Sequence, residues 1–140
     1  MTTWSHLGWV HPVTSAFAAI PSCPAYPDSY AVLAKLQSAP WNDPSYIRST
    51  LLSHAALDAS SLKINEHKTP STGENGEVWA RGIGWFVYST LGKVWGEEGK
   101  KWTADKVESV LRDWMEKEYG KGEKITLEMG AFTITVKKRA

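Results

Sequence analysis

Two groups of side chains in this sequence have the types and spacing that acid/base chemistry needs. The first is His54 with Asp58 four residues later. On a helix such a pair lies one turn apart on one face, where the carboxylate orients an imidazole that exchanges a proton near neutral pH. The same spacing serves at many helix surfaces with no catalytic role. The second group is Arg81, with Trp79 two positions before it and Trp85 four after. On a strand these three share a face. The guanidinium then either enters an aromatic cavity as its one charged group, holding an anionic or carbonyl-bearing ligand, or lays its stem over tryptophan at the sheet surface. Glu77 on that face and Glu128 on the last strand are the carboxylates expected near Arg81, and Tyr88 offers a phenolic donor from the opposite face. The candidate catalytic set is therefore His54, Asp58, Arg81 and Glu128, and the candidate ligand-binding set Trp79, Trp85, Tyr88 and Trp9.

Other chemistry-bearing residues are less organised. Glu66 and His67 are adjacent in a strand pattern, so they point to opposite faces and form no dyad. His6 and His11 lie in an apolar, proline-containing stretch, either packed there or closing over a site. No GxGxxG follows a strand pattern, and no GxxxxGK[ST], HExxH or CxxC occurs, so neither a cofactor nor a metal is expected. The single cysteine, Cys23, cannot form an intrachain bridge; a reduced cytoplasmic setting and an inert thiol are the default.

The elements that carry these residues follow from periodicity. Asp28 is placed to cap a helix over 29–37, and Asp43-Pro44 to start one over 44–57 whose inward row is Ile47, Leu51 and Ala55. Alternation over 62–68 reads as a strand, followed by a turn rich in Pro, Gly and Asn. The stretch 77–89 is apolar on both alternating faces and reads as a central strand, with Gly82 and Gly84 leaving one face bare. Thr103 caps an amphipathic helix over 104–119 that ends at Gly120 or Gly122, and whose apolar stripe includes Trp114. In the last strand, 124–137, the apolar set runs through Ile125, Leu127 and Met129, then resumes on the other parity at Phe132, Ile134 and Val136. This predicts a bulge or tight turn near Gly130. The expected fold is α+β: a mainly antiparallel sheet, two short N-terminal helices, and one long amphipathic helix before the last strand.

A length of 140 residues with 42% hydrophobic side chains fits one globular domain over 1–140. Only five of the charged side chains fall in residues 1–60, which also hold six of the seven prolines, so this segment is expected to pack on an α+β core over 61–140. A net charge of +1 supplies no field for nucleic acid or an anionic membrane, and no run is long enough to span a bilayer or opens like a signal peptide.

The eight tryptophans are the compositional anomaly. Trp95 and Trp102 bracket a charged stretch that is either a lid or a loop anchored by an indole at each end, while Trp4, Trp9 and Trp41 lie in the charge-poor segment. Three readings stand. The first is a cytoplasmic protein that binds a hydrophobic or aromatic small molecule in a Trp-lined pocket, acting as a cofactor-independent isomerase, cyclase or lyase with Arg81 holding developing negative charge. The second is a non-catalytic carbohydrate- or peptide-binding module using exposed Trp4, Trp9 and Trp41. The third is a homodimer formed through the charge-poor segment.

Overall fold

A computed structural model describes residues 1–139. Among them the fold is α+β, with three strands and six helices in the order β1 (Thr2–Leu7), α1 (Val10–Ala18), α2 (Ser29–Leu36), α3 (Pro44–Leu52), β2 (Leu57–Gly73), α4 (Gly76–Trp95), α5 (Glu97–Lys100), α6 (Ala104–Tyr119) and β3 (Ile125–Lys138). The strands form one sheet with β3 between β1 and β2, and β1 runs antiparallel to β3. Two compact units share the chain. One contains Met1–Leu7, Ser29–Thr69 and the stretch from Glu128; the other contains Gly8–Asp28 and Pro70–Leu127.

In the first unit Ile47, Leu62, Phe132 and Ile134 form the core, with Trp41, Leu51, Ile64 and Val136 packed against it. Helix α3 begins where the Asp43-Pro44 pair predicts. The Asp43 carboxylate accepts the Ser45 N–H at 2.8 Å, and proline occupies the first turn, where no N–H is needed. It stops at Leu52 rather than continuing to 57. The sheet takes the following residues instead: the Arg139 N–H donates to the Ala56 carbonyl, and the Lys137 N–H to Ser61 Oγ, both at 2.8 Å. Three N-terminal helices precede β2, not two, because Val10–Ala18 is helical as well.

Strand β2 continues to Gly73, through the stretch expected to turn. Pro70 is tolerated because β2 lies at the edge of the sheet, where a missing N–H breaks no ladder. The parity slip of β3 is present: Ile125 and Leu127 are buried, then Phe132 and Ile134. The first pair belongs to the second unit and the latter pair to the first. The irregularity that accompanies it is on the neighbouring strand. Trp4 pairs with Ala131 and His6 with Gly130, leaving Ser5 as the extra residue of a bulge. A Cβ on Gly130 would lie 2.5 Å from Ser5 Oγ and 3.1 Å from His6 Cβ, so the bulge requires glycine opposite it.

The second unit overturns one expectation. Residues 77–89 form part of a 20-residue helix, α4, not a central strand. Asn75 caps it by accepting the Val78 N–H at 3.0 Å, and Ala80, Ile83, Gly84, Val87 and Leu91 recur at helical spacing along its buried side. Gly84 lies where α6 crosses, since a Cβ there would sit 3.3 Å from Glu108 Cα. The apolar residues that made both strand faces look covered are divided between this buried side and an exposed one. Helix α6 matches its expected limits, with Thr103 as N-cap and Gly120, at φ 100°, ending it; Val107, Leu111 and Met115 are buried. Trp114 is only half-buried, edge-on to Tyr119 at 6.1 Å, rather than in the core.

Phe17 is the centre of an aromatic cluster in this unit. Its ring lies 4.7 Å from Trp95, 5.2 Å from Trp102 and 5.7 Å from Tyr26. Trp95 Nε1–H donates to the Ala25 carbonyl at 3.0 Å. The charged stretch between Trp95 and Trp102 is thus anchored at each end by an indole, and its middle is the helical turn α5. The Tyr26 hydroxyl is 3.3 Å from Thr90 Oγ1, and burial pushes its pKa above the ordinary value of 10.0. The unfolded chain therefore ionises first. Stability contributed by neutral Tyr26 is complete below about pH 10 and is lost as pH rises through the raised value. Denaturant melts of the wild type and Tyr26→Phe across this range are expected to show a smaller alkaline loss in the variant.

Candidate functional site

Each candidate catalytic side chain is held in a local arrangement of its own. His54 lies exposed in the turn after α3, so the one-turn spacing to Asp58 is lost when the helix ends at Leu52. Asp58 is on β2, where its carboxylate accepts the Ser60 N–H at 3.0 Å and the Ser60 hydroxyl at 2.7 Å; these bonds hold its carboxyl below the usual range. Glu128 pairs across the strands with Lys68 at 3.1 Å, and both side chains are about half exposed. Arg81 meets the carboxylate expected of it, Glu77, at 2.7 Å, but as a one-turn helical pair whose guanidinium side chain is 67% exposed. Its other carboxylate neighbour is Glu108, at 4.0 Å. An exposed pair of this kind stabilises little.

The indoles around Arg81 separate for the same reason. A helix turns about 100° per residue instead of alternating, so Trp79 and Trp85 leave the face that a strand would give them. Trp79 turns inward, with Nε1–H donating to the Ile125 carbonyl at 3.0 Å and its ring against Gly73. Trp85 turns outward and is 68% exposed. Tyr88 is also exposed, and Trp9 is buried edge-on to Phe86 at 5.4 Å rather than exposed as expected. His6 is half-buried, while His11 and His67 are exposed.

A different pair of tryptophans frames a groove, in the first unit. Trp4 and Trp41 line an open depression of about 480 Å³. Trp4 comes from β1 next to the bulge, which sets its indole outward at 50% exposure. Trp41 is fixed from behind, packed on the Ile47 core and edge-on to Tyr46 at 5.3 Å. One wall is therefore rigid and the other is accessible. Thr2, Thr3 and Gln37 contribute the polar part of the lining, with Met1 and Ala131 completing it; no lining side chain is charged.

Gln37 reaches the groove because α2 ends just before it. Its N–H still donates to the Leu33 carbonyl at 2.9 Å, and Ser38 then takes a left-handed φ of 61° that reverses the chain toward Trp41. The Gln37 Oε1 accepts from the Thr3 hydroxyl at 2.7 Å. Its Nε2 is shielded and has no hydrogen-bond partner among the described residues. A shielded donor left unpaired costs about 1–3 kcal/mol. Trp4 and Trp41 were visible in the sequence as indoles of the charge-poor segment. Gln37 was not, because a single amide after a short helix has no pattern; only the chain reversal at Ser38 distinguishes it.

In the second unit Cys23 borders a cleft of about 200 Å³ with Trp102, Lys101 and Lys106. Burial pushes the thiol pKa up, against the smaller opposing effect of Lys106, so the thiolate is disfavoured. Among the described residues no group of three or more His, Cys, Asp or Glu side chains is arranged to hold a metal ion, and no helix is long and apolar enough to cross a membrane. No protein-family model matches the chain.

Proposed function

We propose that the protein is a non-catalytic binding module for a neutral, hydroxyl-rich small ligand, best fitted by a short carbohydrate, taken up in the Trp4–Trp41 groove. The observation that carries this reading is the groove lining: two indoles with one amide and two hydroxyls, and no charged side chain, while the Met1 ammonium at its edge is engaged with the Ile134 carbonyl at 2.9 Å. A pyranose has an apolar C–H face that stacks on an indole and a rim of hydroxyls that exchange hydrogen bonds with amides and threonines. Gln37 lines the groove with its Nε2 unpaired among the described residues, so a turn of the amide that brings Nε2 to the surface would let a sugar oxygen satisfy it. The isomerase or lyase reading drew its support from an arginine set among indoles on a strand face, and α4 offers no such face.

Calorimetric titration with neutral gluco-, manno-, xylo- and chito-oligosaccharides tests the reading. At least one series is expected to bind saturably, with Trp4→Ala lowering the association constant about tenfold, equivalent to about 1.4 kcal/mol. Trp4 is half exposed, so the variant is expected to fold. No saturable binding by any series, or binding unaffected by Trp4→Ala, would contradict it.

A further inference from the structure

The solvent side of α4, in the second unit, carries a surface of its own. Val78, Gly82, Trp85, Ser89 and Gly92 are all exposed and uncharged, and Gly96 follows at the end of the helix. Their spacing alternates four and three, which is the repeat of the seam between two supercoiled helices. Trp85 is 68% exposed and Val78 44%, and Phe86 and Tyr88, on either side of the seam, are each 38% exposed. Next to the protruding indole the seam is bare, since a Cβ on Gly82, Gly92 or Gly96 would meet nothing within 4 Å. An aromatic projection and open notches thus lie on one helix face.

We infer that this face is the contact between two copies of the chain, with their α4 helices antiparallel about a two-fold axis. In that arrangement Val78 faces Gly96 of the other copy, Gly82 faces Gly92, and Trp85 faces Ser89. Every layer then sets a large residue against a small one or brings two glycines together, so the surface is complementary to itself, as a two-fold contact requires. The two cationic side chains beside the seam, Arg81 and Lys93, lie on opposite flanks, and an antiparallel pairing brings like flanks together, so Arg81 of one copy does not face Lys93 of the other. These two cations therefore do not oppose the pairing.

The available area sets its strength. Taking about 150–250 Å² for each large side chain, the exposed fractions leave roughly 350 Å² of apolar surface per copy. A standard stable interface covers about 800 Å² per partner, so the dimer expected is a reversible one that forms as concentration rises.

Sedimentation equilibrium on the full chain, from about 1 μM to 1 mM, tests this, because that range brackets the association expected of a contact below standard size. The wild type is expected to pass from monomer to dimer and to go no further. Trp85→Glu removes the projection and Gly92→Leu fills a notch; each is expected to weaken association on the order of a hundredfold, as loss of a central contact does. Gly92→Leu occupies open space on a helix and improves helix propensity, so its circular dichroism and melting temperature are expected to hold or rise while the dimer is lost. A wild type that stays monomeric at the highest concentration, open-ended aggregation, or association unchanged or tightened by Gly92→Leu would overturn the inference.

Discussion

Phe17→Ala is expected to destabilise the protein by about 3–5 kcal/mol, the range for removing a fully buried aromatic ring. Phe17 has no exposed surface, and its ring is in contact with Tyr26, Trp95 and Trp102 together. Removing it takes away the three edge and stacking contacts as well as the buried area, and the surrounding indoles cannot collapse into the space. Trp95 is tied to the Ala25 carbonyl through Nε1, and Trp102 lies beneath Lys106 Nζ at 4.3 Å. In a chain of this length such a loss lowers the melting temperature by roughly 10–15 °C. Tryptophan fluorescence is expected to shift to the red in the folded variant, since two indoles of the cluster gain contact with water. A shift in melting temperature of only a few degrees would mean that the cluster packs without Phe17 at its centre.

The second large effect is at Gly99. This residue lies in α5 where the chain passes over the end of α4, and a Cβ there would fall inside contact distance of the Leu91 carbonyl carbon and oxygen and 2.8 Å from the Gly92 nitrogen. All three are backbone atoms of a helix and cannot swing aside as a side-chain end can. Gly99→Ala is expected to lose about 3 kcal/mol, at or above the upper end of ordinary overpacking. Gly82→Ala is the control in the same unit. Its Cβ meets nothing within 4 Å, and alanine in place of glycine within a helix gains about 0.5–1 kcal/mol. Chemical denaturation of the two variants, measured at a concentration where the chain is monomeric, is expected to move in opposite directions. Equal effects would show that α5 does not sit against Leu91.

Local signals were legible wherever one rule acted alone. Asp43-Pro44 started α3, Thr103 and Gly120 bounded α6, and the parity slip near Gly130 marked a real irregularity. In two places a competing interaction decided the outcome. The end of α3 was taken by strand pairing at Ala56 and Ser61, which no short-range pattern records. The stretch 77–89 contains β-branched and aromatic residues that favour a strand on propensity and two glycines that disfavour a helix, yet Asn75 caps it and its buried row follows helical spacing. That single misassignment moved Trp79, Arg81 and Trp85 onto an imagined common face. The groove was half legible: its indoles stood out as Trp4 and Trp41, whereas their meeting with Gln37 depends on the bulge at Ser5 and the reversal at Ser38.

The proposed binding surface consists of Trp4, Trp41 and Gln37. Proton–nitrogen correlation spectra resolve every indole N–H and side-chain amide separately, and are recorded as the best-binding oligosaccharide is added. The Trp4 and Trp41 indole signals and the Gln37 side-chain amide are expected to shift together along one saturable curve, while Trp9, Trp79, Trp95 and Trp102 stay in place. Shifts that leave Trp4 and Trp41 unmoved, or that gather at Trp85 or Trp102 instead, would contradict it.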